Sequence, residues 1–297
     1  MVKATTTAKS SSPGKQKKGK KKRNRTASKP TSTPTRRTSA VQRSAYQSST
    51  KAPTTARRVH SSARGQVRPA LHLPGPDPLW TIVDQYLVAQ LVPQDDALTE
   101  ALRTSTVAGL PAIHVAPNQG KMLNLLARIR GATRILEIGT LGGYSTIWLA
   151  RALPPGGRLI TLEIDPRHAT VARANLANAG LSDVAEVRLG RAVESLAAMA
   201  SVSTPPFDFV FIDADKPSNP EYFTWALAMT RPGSVIIVDN VVRRGLVADA
   251  SSTDANVIGV RRLNDLIAAE KRVSATSVQT VGSKGHDGFT LIVVGES

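Results

Sequence analysis

A doubly wound α/β fold, built on a mostly parallel seven-stranded sheet with an antiparallel terminal strand, is predicted by three features of this 297-residue chain. From Arg134 onward, short apolar runs alternate with helical patterns, and such alternation makes βαβ units whose parallel sheet is covered on both faces. The last two runs are joined by a Gly-rich segment too short for a crossover, which fits a hairpin and turns the final strand antiparallel. The 221 residues from Asp77 onward are enough for one domain with a buried core.

The elements follow in order. Leu71–Pro78 (LHLPGPDP) reads as a linker, with Pro78 placed to open a helix at its first turn. Leu79, Ile82, Val83, Tyr86, Leu87 and Leu91 then recur at three- and four-residue spacings, so 79–91 is helical. Further helices are expected over 95–105 and 119–129, the latter stopped at Gly131. The strands expected are Arg134–Gly139, Arg158–Ile164, Ala185–Leu189, Phe207–Asp213 and Ser234–Asp239, with helices over 143–153, 166–179, 192–201 and 219–230 between them. A helix over 257–271 leads to strands Ser274–Val281 and Phe289–Val294, joined by Gly282–Gly288 (GSKGHDG). Trp80, Trp148 and Trp225 lie at helical spacing and read as core in preference to acceptor-stacking rings.

Charge divides the chain. Residues 1–76 hold ten Lys and nine Arg and no acid, whereas the remainder carries 20 basic and 22 acidic residues; the whole chain is at +17. The first segment is Ser, Thr, Lys, Arg, Pro and Ala, too poor in apolar side chains to offset backbone entropy, and is expected to be a disordered basic tail. A solvated tail without a specific partner, a weak polyanion contact through phosphates, and a nuclear or organellar targeting signal all fit it. The absence of Cys excludes disulfides, thiol nucleophiles and Cys-based metal sites, and fits a cytoplasmic protein. No run approaches the roughly 18 apolar residues of a membrane span, and no apolar stretch near the start predicts a secretory signal.

In open α/β sheets, ligands bind beyond the carboxyl ends of the strands, where strand order reverses. The first strand runs through Glu137-Ile138-Gly139-Thr140-Leu141-Gly142-Gly143-Tyr144-Ser145 directly into a helix. Its glycines permit close backbone approach, and free N–H groups at a helix start hold a carboxylate or anion. Glu163, at the end of the second strand, can accept from both hydroxyls of a ribose, so a nucleoside-containing cofactor is expected. G139-x-x-G142-G143 is not the G-x-G-x-x-G that seats a pyrophosphate. Glu137 would repel a pyrophosphate and attract an ammonium group, which fits the amino-acid moiety of S-adenosylmethionine. Two further strand ends carry Asp213-Ala214-Asp215-Lys216 and Asp239-Asn240. Neighbouring parallel strands lie about 4.8 Å apart, so Asp213, Asp239 and Asn240 can converge as a hard-oxygen set suited to Mg²⁺. Capping of turns is the structural alternative for each Asp.

Taken together, LEIGTLGGYSTIWLA, LITLEID, FIDADKPSNPEY and VDNVVRRG resemble the metal-dependent, S-adenosylmethionine-dependent O-methyltransferases. This family contains catechol and caffeoyl-CoA O-methyltransferases, and the small bacterial members are the most similar. The likeness covers about residues 78–297. It implies the class I methyltransferase fold, a Rossmann-like sheet, a small phenolic substrate and a homodimer. It also implies that Val115 contacts the methionine end of the cofactor, that Glu137, Gly139 and Thr140 surround the methionine moiety, and that Ser145 binds its carboxylate. By the same likeness Glu163 holds the ribose, Ala192 lies beside the adenine, and Asp213, Asp239 and Asn240 hold a divalent cation. Asp213 also lies near the cofactor's amino group, and Lys216 is the general base. PSNPEY is longer than the plant version of that segment, and acceptor contacts there are left open.

The chemistry is consistent with those roles. An unperturbed phenol titrates near pH 10, so two adjacent hydroxyls on a divalent cation make a far better nucleophile at neutral pH. Methyl transfer from a sulfonium is an in-line displacement dominated by positioning. Two other readings compete: a nicotinamide-dependent oxidoreductase on a similar fold, which leaves the oxygen cluster unexplained, and a non-catalytic polyanion-binding protein acting through its tail. Gly143-Tyr144-Ser145 lacks the glycines of a nucleophile elbow, and the five His show no metal-ligand spacing.

Overall fold

The computed structural model describes residues 77–296; the basic segment 1–76 and its expected disorder lie outside the described residues. Three helices open the fold: α1 (Pro78–Leu91), α2 (Asp96–Val107) and α3 (Pro117–Arg130). Asp77 and Asp95 cap the first two by accepting from Leu79 N and Leu98 N, and Gly131 ends the third at φ +65°. The sheet strands are β1 (Arg134–Ile138), β2 (Arg158–Glu163), β3 (Ala185–Leu189), β4 (Phe207–Ile212), β5 (Thr230–Asp239), β6 (Val273–Gly282) and β7 (Gly285–Val294). Helices α4 (Tyr144–Ala150), α5 (Pro166–Asn178), α6 (Ala192–Ser201), α7 (Asn219–Ala228) and α8 (Ala255–Ala269) cover them.

Strand order is β3-β2-β1-β4-β5-β7-β6. β1 to β5 are mutually parallel, and β7 pairs antiparallel with both β5 and β6. The final strand thus inserts between its predecessor and β5. Order reverses between β1 and β4, which opens the crevice at their carboxyl ends. Side chains alternate cleanly across the sheet. Phe209 and Phe211 face a core shared with Leu123, Ile147 and Trp148, while Val210 and Ile212 face a second core with Phe223, Ala226 and Leu263. Trp148 is buried and Trp225 packs against the second core, as their spacing suggested, whereas Trp80 on α1 is only partly buried and joins neither core.

Three boundaries differ from expectation by three residues or more. β5 begins at Thr230, not Ser234, because Thr230 already pairs with Phe207 of β4, ahead of a register shift between Phe207 and Phe209. The hairpin loop shrinks to Ser283–Lys284: His286, Asp287 and Gly288 join β7, since Gly288 has no Cβ to strike the Val278 carbonyl across the pair. α4 ends at Ala150, ahead of Pro154 and Pro155. The apolar stripe of α1 is outside the core: Leu79, Ile82, Tyr86 and Leu91 are each more than half exposed, and only Asp84 is buried. Asp84 ties α1 down by accepting from Asn118 Nδ2 at 2.9 Å and Ser283 N at 2.8 Å. Among the described residues no helix is long and apolar enough to cross a membrane.

Candidate active site

A cleft of about 680 Å³ lies over the carboxyl ends of β1, β2 and β4, within the range of small-molecule sites. Val115, Gly139, Thr140, Ser145, Glu163, Ala192, Asp213, Lys216 and Asn240 all line it. Two of the residues expected there do not. Glu137 is fully buried behind the wall, and Asp239 faces a smaller adjoining cavity of about 200 Å³, with Asn240 shared between the two.

One half of the cleft is shaped by backbone. Gly139 takes φ +100°, and a Cβ there would collide with the Asp213 carbonyl, so only glycine lets the β1 loop lie on the end of β4. The Glu163 carboxylate clamps that loop. Its Oε2 accepts from Thr140 N (3.2 Å) and Leu141 N (2.8 Å), and its Oε1 from Ile164 N and Asp165 N (both 2.9 Å). The acid expected to hold a ribose is therefore fully engaged by main-chain N–H groups in this arrangement. Thr140 and Thr161 hydroxyls pair at 2.6 Å beneath it. Glu137 accepts from the hydroxyls of Ser145 and Thr146 on α4. Burial raises its carboxyl to about 7, opposed by those hydroxyl donors. Its charge thus sits one layer behind the cleft wall, with Ser145 between. Beside Val115, the His114 ring packs against Tyr144 at 5.6 Å between centroids, and Tyr144 Oη donates to Gln94 Oε1.

The other half is shaped by charged side chains. Lys216, 6 % exposed, donates from Nζ to Asp213 Oδ1 at 2.9 Å. Its backbone is pressed by α8, where a Cβ on Gly259 would strike the Lys216 carbonyl. Asp215 accepts from Tyr222 Oη (2.6 Å) and Ser218 Oγ, and burial with that acidic partner pushes the Tyr222 phenol well above its usual range. Asp239 is nearly inaccessible. Burial, then the Asp213 charge, drives its carboxyl upward, while Lys216, Asn240 N and Gln119 Nε2 oppose the shift. Gln119 Nε2 reaches Asp239 Oδ2 at 2.7 Å across 120 residues of sequence. Asn240 holds a left-handed backbone at φ +57°. Among the described residues no three His, Cys, Asp or Glu side chains form a metal-binding group; two Asp and one Asn are what the strand ends supply.

Sequence reasoning passed over Gln119, Tyr222 and Arg243, which also border these cavities or their ligands. Gln119 reads as an ordinary residue of a helix's first turn, and only tertiary pairing of α3 with β5 gives it a role. Tyr222 stood inside a quoted motif without an assigned partner.

Comparison with known proteins identifies the family. A model of the O-methyltransferase family matches residues 90–293. A catechol O-methyltransferase of Niastella koreensis is 51 % identical over 212 residues, covering 71 % of this chain and 96 % of that protein. A catechol O-methyltransferase of Mycobacterium tuberculosis is 50 % identical over 212 residues, covering 71 % and 94 %. Among solved structures, an O-methyltransferase from Bacillus cereus in complex with SAH is 58 % identical, with a TM-score of 0.72 over 73 % of this chain and 98 % of that one. With an intact cleft at the switch point of the matching fold, the chain belongs to the O-methyltransferase family.

Proposed function

We propose that the protein transfers a methyl group from S-adenosylmethionine to one hydroxyl of a small ortho-dihydroxy aromatic, with a divalent cation held by Asp213, Asp239 and Asn240. The observation that carries this reading is the continuity of one cleft from the Gly139–Glu163 loop to Asp213, Lys216 and Asn240. Solved relatives in complex with SAH or SAM, and relatives named for catechol, support the donor and the acceptor.

The residues fit a hard cation. Asp239 is a buried carboxylate pushed upward by burial and by Asp213, and a positive charge between the two would relieve both effects. Three oxygens and no soft ligand suit Mg²⁺, with remaining positions open to water or acceptor. When bound, such an ion stabilises the phenolate form of a catechol. The chain's own part is positioning and proton handling. The Gly139 loop gives the donor's amino-acid end a close backbone approach. Ser145 and the Glu137 behind it present a hydroxyl and a negative field to that end. Lys216, neutral once a cation held by Asp213 has replaced it in the ion pair, would take the acceptor's proton as the acceptor oxygen bonds the methyl carbon and the donor sulfur keeps the C–S electron pair.

Assay of a catechol panel with Mg²⁺ and with EDTA tests the reading. Turnover that requires both S-adenosylmethionine and the cation is expected. Equal rates in EDTA would overturn the metal assignment, and no methylation of any catechol would overturn the acceptor class. The homodimer we assign to the α1 stripe, where Leu79, Ile82, Tyr86 and Leu91 form an exposed apolar face. Tyr86→Glu with Leu91→Glu should shift sedimentation from dimer to monomer; a wild-type chain that sediments as a monomer at every concentration would refute it.

A further inference from the structure

Three Lys and Arg side chains line the main cleft. Lys216 is committed to Asp213 at 2.9 Å, and Arg191 lies 3.4 Å from Glu194 near the α6 end. Arg243 differs. Its nearest acidic oxygen among the described residues is Asp287 Oδ2 at 4.0 Å, and its guanidinium makes no hydrogen bond to any of them. Its Nε is buried without a partner. The other oxygen of Asp287 is already occupied, accepting from Val242 N and Arg243 N at 3.0 Å each. Asp287 therefore secures the loop's main chain and, with Asp254, faces the guanidinium only at long range, so that its N–H donors have no hydrogen-bond acceptor among the described residues.

The backbone carrying this side chain is strained. Asn240, Arg243 and Arg244 all hold left-handed angles, φ +57°, +54° and +57°. Non-glycine residues rarely adopt that region, and such outliers cluster at ligand clamps. A guanidinium offers five donors in a rigid fork that matches a carboxylate, and a buried donor left unpaired calls for an acceptor. Asn240, at the start of the same turn, borders the same cleft.

We propose that Arg243 is a specificity-determining residue that binds a carboxylate on the acceptor, so that the preferred substrate is an ortho-dihydroxy aromatic acid. This rests on the acceptor class proposed above. A monoanion suits the site better than a phosphate dianion, because Asp215, Glu221 and Asp287 border the cleft or its rim and repel higher charge.

The experiment compares 3,4-dihydroxybenzoate with its neutral analogue 3,4-dihydroxybenzamide, using the full-length chain. Wild type should favour the acid in kcat/KM. Arg243→Met should reduce the acid-to-amide ratio roughly ten- to hundredfold, as expected for a lost charged hydrogen bond, with the loss in KM for the acid. Arg243→Lys should recover part of the ratio. Arg243→Asn, a residue at ease in a left-handed backbone, provides a second neutral variant if the first folds poorly, and calorimetry with SAH verifies folding. Calorimetric binding of acid and amide to SAH-loaded wild type gives a readout without turnover. An acid-to-amide ratio equal in wild type and the neutral variants would overturn the proposal. Arg243-dependent acid binding without methylation would support the carboxylate site while refuting the catechol reading.

Discussion

The two halves of the cleft are built from different materials. Around Gly139 and Glu163 both carboxylates are satisfied inside the protein: one takes four main-chain N–H groups, and Glu137 takes two hydroxyls. Around Asp239 and Arg243 the accounts stay open. Two carboxylates repel each other, a buried guanidinium nitrogen has no acceptor, and three non-glycine residues hold left-handed angles, against Leu141 alone in the Gly139 loop. A self-satisfied half keeps its shape before any ligand arrives. A half with unmet charge has binding free energy in reserve for what completes it.

The largest expected effect breaks the open half alone. Asp239→Ala should lower metal-stimulated turnover roughly a thousandfold, the several kcal/mol that a Lewis-acid ion supplies. SAH affinity, which we assign to the other half, should change by less than about threefold, within the scatter of distant, independent sites. Rate assays across a Mg²⁺ titration, with SAH calorimetry, check both numbers. A variant that kept full metal-dependent turnover would remove Asp239 from the ligand set.

That division also explains what could be read from the chain. The half proposed to take the donor is contiguous: Glu137 to Ser145 form one strand, turn and helix start, and Glu163 follows at the next strand end. Local rules of glycine geometry and strand-end placement therefore reach it. The fold was legible for the same reason, since five parallel strands and the antiparallel β7 each carry a local apolar signature. The half proposed to take the acceptor is assembled from afar. Gln119 meets Asp239 across 120 positions, Gly259 on α8 presses the Lys216 backbone, and Asp287 on β7 secures the loop bearing Arg243. No spacing within one element encodes those meetings. The α1 stripe shows the converse error of scale: its period correctly gave a helix, but periodicity cannot say whether the apolar face meets this chain's core or another surface.

Glu137→Gln sharpens the comparison through pH. Burial raises the folded carboxyl to about 7 from the ordinary value of 4.5. Stability from the protonated form is thus fully present below 4.5 and lost as pH rises through about 7. A glutamine cannot ionise, and Ser145 and Thr146 can reorient to pair with its amide. In the ligand-free protein the variant should therefore gain stability relative to wild type between pH 5 and pH 8, by about 3 kcal/mol at most. S-adenosylmethionine affinity should fall, because the negative field behind Ser145 is gone. Urea unfolding at the two pH values measures the first effect. An identical pH dependence in both proteins would show that Glu137 does not titrate in this window.

Gln119→Ala is the mildest break, because it touches the open half only through Asp239. Nε2 fixes Asp239 Oδ2, while Asn240 N holds Oδ1 at 2.8 Å. Losing the first leaves the carboxylate free to rotate without removing it. Partners of this kind typically alter metal affinity about tenfold to a hundredfold. We expect the lower end, since Asn240 N persists. Mn²⁺ binding followed by electron paramagnetic resonance should weaken about tenfold, with kcat nearly restored at saturating metal. Gln119→Glu should behave differently: it sets a third carboxylate beside Asp239 and Asp213, raising repulsion in the metal-free protein and favouring the bound ion. If alanine lowered kcat without weakening Mn²⁺, Gln119 would act on the acceptor and not on the ligand, and the boundary between the two halves would have to be drawn through α3.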